Sequence, residues 1–240
     1  MERPFVVCNM FTSLDGKIDG DFFGAQAAAP ALAEYGSLRG FYGCEATLYG
    51  TTTMLGGFAD GPAPALPEED QSFPVLDYVN LSGREKGNFI VSIDPKGVLG
   101  FHSDILEKKG RPAAHIIEVL TEQVSPAYLG YLRQLGISYL FAGKGALDCG
   151  LVLRKLKKLF HIERLLIAGG GTVNWSFLQE GLIDELSLVI APVADGGTDS
   201  VSIFERADFL PPHEPVAFRL MEAKPIAGDG LWLRYELENN

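Results

Sequence analysis

The sequence has few cysteines and no recognisable metal-binding pattern. Its 240 residues include three cysteines, an odd number without metal-ligand spacing, and four scattered histidines. The H-x-E with P-C-x-x-C signature of zinc deaminases is also absent. We therefore expect no metal site and no deaminase activity on this chain, and we interpret the cysteine usage as typical of a reduced, cytoplasmic protein.

Long apolar runs and positive charges are scarce as well. No run of 18 apolar residues occurs and no signal peptide precedes Phe5, so we expect no membrane association. Lysine and arginine number 20 against 31 acidic residues, and the net charge of −11 argues against nucleic acid as a partner. Because 47% of the residues are hydrophobic, the chain can bury a substantial core, and we predict a single domain over residues 1–240.

A Gly-rich segment lies between two apolar runs in the last third of the chain. The strand-like run 165–168 leads into Gly169–Gly171, and an apolar helical stripe follows, for which Thr172 and Asn174 offer N-cap side chains. A second strand-like run covers residues 186–191. Such a turn between strand and helix aims free backbone N–H groups at an anion. The spacing is neither G-x-G-x-x-G nor a P-loop, so a purely structural turn is the alternative interpretation.

A second motif lies at the N-terminus. Phe5–Phe11 is strand-like, and T-S-L-D-G-K-I-D-G follows it. Asn9 is a polar residue inside this apolar run, where an unpaired amide would cost about 1–3 kcal/mol. Asp15 and Gly16 are typical of a turn, so a structural role is the alternative for Asp15.

A third motif, T-L-Y-G-T-T-T-M, begins at Thr47. We expect a strand that ends at Gly50 and a short helix capped by Thr51 or Thr52. The start of that helix is a second possible contact for phosphate, and an ordinary N-cap is the alternative.

Together the three motifs resemble the pyrimidine reductases of riboflavin biosynthesis, and Asn9 makes the chain more similar to the stand-alone archaeal and fungal type. The matching stretches follow the family's order: V-C-N-M-F-T-S-L-D-G-K-I-D-G, L-R-G-F-Y-G-C-E-A-T-L-Y-G-T-T-T and L-L-I-A-G-G-G-T-V-N-W-S-F-L-Q-E-G-L-I-D-E-L-S-L-V-I-A-P. The resemblance covers residues 3–197, with a poor match over the Pro-rich segment 57–74. It implies a dihydrofolate-reductase-like fold, a homodimer, and hydride transfer from NADPH to the ribose of a ribosylaminopyrimidine 5′-phosphate.

The resemblance also implies the site residues. The phosphates of NADPH would be bound by Gly50, Thr51, Thr52, Thr53, Gly169, Gly170, Gly171 and Thr172. The adenosine 2′-phosphate would be bound by Ser92 and Lys96. Asn9 and Asp15 would contact the substrate, and Asp15 and Lys17 would be the catalytic residues.

Two positions depart from the family's pattern on the substrate side. Ala168 stands where the family commonly has Glu, and the stretch after Gly20 lacks the hydroxyls that suit a sugar phosphate. Two alternatives therefore remain open. One is an NADPH-dependent reductase of another small heterocycle or carbonyl, including a dihydrofolate-reductase-like activity. The other is a non-catalytic nucleotide-binding protein.

Strand-like and helix-like segments alternate, which predicts an α/β fold with a mixed, mostly parallel sheet flanked by helices. We predict strands near residues 4–12, 46–50, 88–93, 114–119, 138–142, 164–168, 184–192, 216–223 and 231–238, and helices at 30–42, 125–136, 146–160 and 172–180. The turn Gly228-Asp229-Gly230 predicts an antiparallel C-terminal edge, with Leu231–Leu237 as a dimer contact. The Pro-rich segment 57–74 is predicted to be a long loop.

Overall fold

The structure, a computed structural model, describes residues 2–66 and 73–238. These residues form two compact units, one from Met1–Pro4 and Glu45–Glu163 and the other from Phe5–Cys44 and Arg164–Asn240. The predicted single domain over residues 1–240 stays a prediction.

The first unit is built on a mostly parallel set of strands. Its elements are β2 (Ala46–Gly50), α2 (Thr51–Leu55), α3 (Leu81–Arg84), β3 (Phe89–Ile93), β4 (Ile105–Leu106), β5 (Ala114–Leu120), α4 (Pro126–Leu135), β6 (Ser138–Phe141) and α5 (Cys149–Phe160). Strand β3 lies between β2 and β5 and β6 pairs with β5, all in parallel, while the short β4 is antiparallel to β5. All four parallel strands are buried along their whole length, as expected for strands covered on both faces.

Helices α4 and α5 have clear start and stop signals in the sequence. The Ser125 hydroxyl accepts a hydrogen bond from the Tyr128 N–H, and the Asp148 carboxylate accepts one from the Leu151 N–H at 2.7 Å. Gly136 ends α4 in the left-handed conformation with φ +77°, and His161 ends α5 in the same way. The predicted helices at 125–136 and 146–160 are therefore confirmed, the second with a start at Cys149.

The second unit combines parallel strands with an antiparallel hairpin. Its elements are β1 (Phe5–Thr12), α1 (Ala29–Tyr42), β7 (Arg164–Ile167), α6 (Gly171–Gln179), β8 (Glu185–Ile190), β9 (Phe218–Ile226) and β10 (Gly230–Leu237), with 3-10 turns at Asp21–Gly24 and Gln26–Ala28. Strand β1 is parallel to both β7 and β8. Strand β10 is antiparallel to β8 and to β9, so the predicted mixed sheet with an antiparallel C-terminal edge is confirmed.

Helix α1 covers one face of this sheet. Its buried Ala31, Leu38 and Tyr42 pack in one core with Val7 and Trp232 of the strands. The hairpin turn between β9 and β10 has positive φ at Gly228 and Asp229, which only glycine and short polar residues adopt readily.

Two predicted helix caps are wrong. The N-cap of α2 is Gly50 and not Thr51 or Thr52, because the backbone is extended at Gly50 and helical from Thr51 onward. The Thr51 hydroxyl donates instead to the Ile93 carbonyl at 2.7 Å. The N-cap of α6 is Gly170 and not Thr172 or Asn174. In both cases the chain enters the helix through a glycine, so the hydroxyls that follow in the sequence already lie inside the first turn.

The predicted Pro-rich loop lies partly outside the described residues, since 67–72 are not among them. Its first part is held against another segment of the first unit. The Asp60 N–H donates to the Gly100 carbonyl at 2.9 Å, and the Ala63 N–H donates to the Val98 carbonyl at 2.7 Å. After the loop, the Arg133 guanidinium lies 4.8 Å from the ring centroid of Tyr78 and donates to the Tyr139 hydroxyl.

Candidate active site

The Gly-rich turn of the second unit offers backbone N–H groups at the start of α6. Gly169 has φ +109°, a conformation that favours glycine, and the N-cap Gly170 has no side chain to satisfy the helix. The first bond of α6 runs from the Asn174 N–H to the Gly170 carbonyl at 3.0 Å. The N–H groups of residues 171–173 precede it and have no carbonyl one turn back in the helix. Such a helix start is suited to an anion.

Gly171 has an additional, structural reason to be glycine. A Cβ at this position would lie 2.5 Å from the Ser202 carbonyl oxygen and 3.2 Å from Glu205 Cγ. The Gly171 carbonyl also accepts a hydrogen bond from the Glu205 N–H at 3.2 Å. The segment 202–205 therefore packs directly on the first turn of α6.

Asp15 lies in the turn after β1 and holds a distant loop. Its carboxylate accepts hydrogen bonds from the Ser13 hydroxyl at 2.6 Å and from the backbone N–H groups of Asp195 and Gly196, both at 2.9 Å. The Ser13 hydroxyl and the two N–H groups lower the pKa of Asp15 below its ordinary value. Asp15 is therefore an exposed, ionised carboxylate at neutral pH.

Lys17 contacts the same loop further along. Its ammonium group donates to the Ser200 carbonyl at 3.3 Å, and its neighbour Ile18 donates its N–H to the Val201 carbonyl at 2.9 Å. The segment 195–205 thus connects the turn that carries Asp15 and Lys17 with the first turn of α6.

Asn9 is fully buried on β1. Val7 and Phe11 pack in the core under α1, and alternation along the strand places Asn9 on that same face. Its carbonyl accepts a hydrogen bond from the Tyr35 hydroxyl at 3.2 Å. Neither atom of its side-chain amide has a hydrogen-bond partner among the described residues. The substrate contact of Asn9 stays a prediction.

The predicted cofactor residues of the first unit differ in their exposure and in their hydrogen bonds within the protein. Thr51 is bonded to Ile93, whereas Thr52 is exposed and Thr53 is half-buried. Ser92 is fully buried inside β3, and Lys96 is exposed in the turn that follows this strand.

Sequence reasoning missed the buried carboxyls next to these residues. Asp94 is 1% exposed, and its Oδ2 accepts hydrogen bonds from the N–H groups of Val98 at 2.7 Å and Leu99 at 2.9 Å. Glu118 is fully buried on β5. Glu118 could have been found from the sequence, because a glutamate inside the apolar run A-H-I-I-E-V-L is unusual.

Two classes of site find no support in the part of the chain that the structure describes. There, no group of three His, Cys, Asp or Glu could hold a metal ion. No helix within residues 2–66 and 73–238 combines the length and apolar character that a membrane span needs.

The model of the RibD C-terminal domain matches residues 101–231 of this chain. The chain belongs to the RibD C-terminal domain family. A relative from Methanothermobacter thermautotrophicus, named 2,5-diamino-6-ribosylamino-4(3H)-pyrimidinone 5′-phosphate reductase, is 30% identical over 207 residues, which are 85% of this chain and 84% of the relative. A protein of the same name from Archaeoglobus fulgidus is 24% identical and covers 87% of this chain and 89% of its own length.

Solved structures agree with this membership at the level of the fold. A pyrimidine reductase-like protein from Corynebacterium diphtheriae superposes with a TM-score of 0.68 at 16% identity and covers 99% of this chain and 93% of its own. The riboflavin biosynthesis reductase Rib7 of Saccharomyces cerevisiae superposes with a TM-score of 0.62 at 17% identity. The match covers 99% of this chain and 91% of the Rib7 chain. The chain spans 59% of the Acinetobacter baumannii RibD chain, with a TM-score of 0.60 at 19% identity. The predictions of this family, of its fold class and of a reductase are confirmed.

Proposed function

We propose that this protein reduces the ribosylamino group of a diaminopyrimidine 5′-phosphate with NADPH, in riboflavin biosynthesis. The observation that carries the proposal is the identity of 30% over 207 residues with a reductase of that name. The uncapped start of α6 behind the Gly-rich turn supports a phosphate-bearing cofactor, because it offers N–H donors that no side chain occupies.

The donors of each unit fit an anionic dinucleotide. In the second unit, Gly169–Gly171 and Thr172 would bind the pyrophosphate through backbone N–H groups and a hydroxyl. In the first unit, the hydroxyls of Thr52 and Thr53 and the backbone of Gly50 and Thr51 would contact cofactor phosphates. The bound nicotinamide would supply the hydride.

The preference for NADPH over NADH is assigned to the turn after β3. Lys96 is exposed there and has the positive charge that an adenosine 2′-phosphate requires. Ser92 was predicted to share this role, and its full burial favours Lys96 as the main contact.

The substrate would be held by residues of the second unit. Asp15 and Lys17 lie in one turn against the segment 195–205, and we assign the catalytic and substrate contacts to them. Asn9 would act at the substrate only through its buried, unpartnered amide. Each of these assignments rests on the family resemblance together with this geometry.

One direct measurement tests the proposal. The purified protein is mixed with NADPH and the ribosylaminopyrimidine phosphate, and the loss of NADPH absorbance is followed. We expect turnover at an ordinary enzymatic rate, on the order of 1–10³ per second. Binding of NADPH without turnover of this substrate would contradict the proposal.

A second candidate is a reductase of the same fold that acts on another small heterocycle or carbonyl. It is favoured by the 3-10 turn Asp21–Gly24, where the buried Phe22 and the more exposed Phe23 stand in the stretch that lacks sugar-phosphate hydroxyls. A panel of dihydrofolate and small carbonyl substrates, measured in the same absorbance assay, separates the two candidates.

We further infer a homodimer that buries the apolar face of the C-terminal hairpin. The half-buried Leu231, Leu233 and Tyr235 of β10 lie beside Ile190, Leu188 and Leu186 of β8 in register. On the outer strand β9, Leu220 is 49% and Met221 is 44% exposed. An outer strand with exposed apolar side chains promotes association with other molecules unless a partner covers it. Light scattering at micromolar concentration is expected to give the mass of a dimer, and a monomer mass would contradict the inference.

A cytoplasmic location also stays a proposal. The three free cysteines, two of them buried, are consistent with it.

A further inference from the structure

Four polar side chains form a row across one face of the first unit's sheet. The strand registers place Tyr49 beside Ser92, Ser92 beside Glu118 and Glu118 beside Tyr139. Side chains of paired residues on neighbouring strands point to the same face. Glu118 therefore lies in the interior of the row, with β3 on one side and β6 on the other.

Glu118 has no polar group that satisfies its carboxyl oxygens. The residue is fully buried, and neither Oε1 nor Oε2 has a hydrogen-bond partner of acceptable geometry among the described residues. A buried carboxylate without donors is among the most costly groups in a protein interior, so such a group normally stays protonated.

Asp94, one residue beyond the end of β3, is in the opposite situation. Its Oδ2 accepts the N–H groups of Val98 and Leu99, and the Tyr128 hydroxyl lies 3.3 Å away. Its Oδ1 is buried and has no partner. Burial raises the pKa of Asp94, and the N–H groups of Leu99 and Val98 oppose this shift. These donors favour the carboxylate form of Asp94, whereas the oxygens of Glu118 have no partner among the described residues. Asp94 is therefore the acceptor of the two, and its free oxygen needs a donor.

The turn that Asp94 holds is the one that carries Lys96. Asp94 bonds the N–H groups on the far side of the turn, and the Asp94 carbonyl accepts the Gly97 N–H at 3.1 Å. Lys96 therefore projects from a four-residue turn, 94–97, that one backbone hydrogen bond closes and that the buried Asp94 carboxylate holds against Val98 and Leu99.

We propose that Glu118 is a positioning residue: it is a neutral carboxylic acid that donates its proton to Asp94 Oδ1 and so fixes the turn that presents Lys96 to the cofactor. This step rests on the proposed function only in its last clause, the contact between Lys96 and the 2′-phosphate. A single hydrogen bond of this kind satisfies Asp94 Oδ1 and one of the two unpartnered oxygens of Glu118.

The surroundings of Glu118 favour its neutral form. Burial raises the pKa of Glu118 well above its ordinary value, the charge of Asp94 raises it further, and the Ser92 hydroxyl opposes both. Tyr128 and Tyr131 of α4 interact electrostatically with Glu118. In the row itself, Tyr49 accepts a hydrogen bond from Arg111 and Tyr139 accepts one from Arg133. The buried Thr47 lies on the same face as Tyr49, two residues before it on β2.

The protonation of Glu118 can be observed without any cofactor. Infrared difference spectra of the whole protein at pH 7 are compared between the wild type, Glu118→Gln and the matched control Glu122→Gln, an exposed glutamate. We expect the C=O band of one protonated carboxylic acid, lost in Glu118→Gln and kept in Glu122→Gln. Absence of that band from the wild type would overturn the proposal, whatever the protein binds.

The positioning role is tested by affinity for both cofactors. Dissociation constants for NADPH and NADH are measured by fluorescence in the wild type, Glu118→Met and Glu118→Gln. The methionine has a similar volume but no donor, and we expect its affinity for NADPH to fall by about tenfold, the effect of one charge-assisted hydrogen bond, with NADH little changed. Glutamine keeps a donor and is expected to retain the wild-type ratio of affinities.

Two outcomes would contradict the positioning role. One is an unchanged ratio of NADPH to NADH affinity in a folded Glu118→Met variant, and the other is an equal loss in Glu118→Gln and Glu118→Met. If Glu118→Met does not fold, the positioning role is tested by hydrogen exchange of the Val98 and Leu99 amides in Glu118→Gln. Protection of these amides equal to that in the wild type supports the proposal, and loss of their protection contradicts it. A protein that binds neither cofactor would refute the proposed function, while the infrared band would still decide the state of Glu118.

Discussion

The carboxylate of Asp15 accepts a hydrogen bond of 2.9 Å from the backbone N–H of Gly196, 181 residues further along the chain. A second bond of 2.9 Å comes from the neighbouring Asp195 N–H. Asp15 therefore holds the loop that follows β8, so a structural role and a role in substrate binding make different predictions for its replacement.

We predict that Asp15→Asn lowers turnover by at least about tenfold and leaves the affinity for NADPH unchanged. The amide keeps one acceptor oxygen for the loop but loses the charge that a substrate hydroxyl would meet. Steady-state kinetics and a cofactor titration check this, with Asp19→Asn, an exposed aspartate a few residues further along the chain, as the control. A large loss of melting temperature with unchanged turnover of the folded fraction would show that Asp15 is purely structural.

Lys96→Ala is expected to weaken binding of NADPH by about tenfold without an effect on NADH, because only NADPH carries the 2′-phosphate. Lys109→Ala removes an exposed lysine from another loop of the first unit and is the matched control. Fluorescence titrations with both cofactors provide the measurement. Equal affinities of the wild type for NADH and NADPH would refute the assignment.

The C-terminal hairpin offers a matched pair of arginines with different burial. Arg234 forms a bidentate ion pair with Glu185, in which Nε lies 2.7 Å from Oε1 and Nη2 lies 3.0 Å from Oε2. The Glu185 side chain is 7% exposed. Tyr42 also donates to this carboxylate. Arg219 pairs with Glu236 on the surface.

Arg234→Met should lower the free energy of unfolding by about 3–5 kcal/mol, because it leaves a buried carboxylate without its cation. Arg219→Met should change it by less than about 1 kcal/mol, as exposed ion pairs contribute little. Urea unfolding of both variants makes the comparison, and similar losses in the two would be inconsistent with the burial of Glu185.

Gly171→Ala is expected to destabilise the protein by about 1–3 kcal/mol, because the new methyl group would overlap the Ser202 carbonyl. Gly36→Ala, inside α1 and with open space around its Cβ, should instead stabilise by about 0.4–1 kcal/mol. Thermal unfolding of the two alanine variants distinguishes a steric requirement at 171 from a general effect of glycine. Equal shifts would argue against the contact with Ser202.

Glu118 should make stability depend on pH. Since its folded-state pKa lies above the ordinary 4.5, the folded protein keeps a proton that the unfolded chain releases. The resulting stabilisation is complete below pH 4.5 and is lost, at about 1.4 kcal/mol per pH unit, as the pH rises toward the folded-state pKa. Glu118→Gln has no such proton, so its stability relative to wild type should increase between pH 5 and pH 8. Parallel curves of the free energy of unfolding against pH for the wild type and Glu118→Gln would contradict this. The control Glu122→Gln should show the same pH dependence as the wild type.

Local signals in the sequence identified most of the elements that hold the site. Strand Ala46–Gly50 was predicted with its observed bounds, and the Gly-rich turn into α6 was located because a buried strand, glycines and a helical stripe follow one another. The C-terminal hairpin followed from Gly228-Asp229-Gly230, whose positive φ angles the residue types already implied.

What could not be predicted depends on contacts between distant residues. The hydroxyls of Thr51 and Thr172 suggested helix caps, but a capping role is decided by where the chain enters the helix, which is at Gly50 in α2 and at Gly170 in α6. The bond from Asp15 to Gly196 has no local signal at either end. The pairing of Asp94 with Glu118 likewise depends on β3 and β5 being neighbours, which periodicity does not specify.

The course of the chain through the second unit has a consequence for its biosynthesis. Strand β1 is synthesised long before its partners β7 and β8, which begin only at Arg164 and Glu185. Seven of its eight residues are buried in the folded protein. This hydrophobic strand therefore stays without its two partner strands while residues 13–163 are translated. This nascent segment is where a chaperone would be needed and where slow translation would favour aggregation.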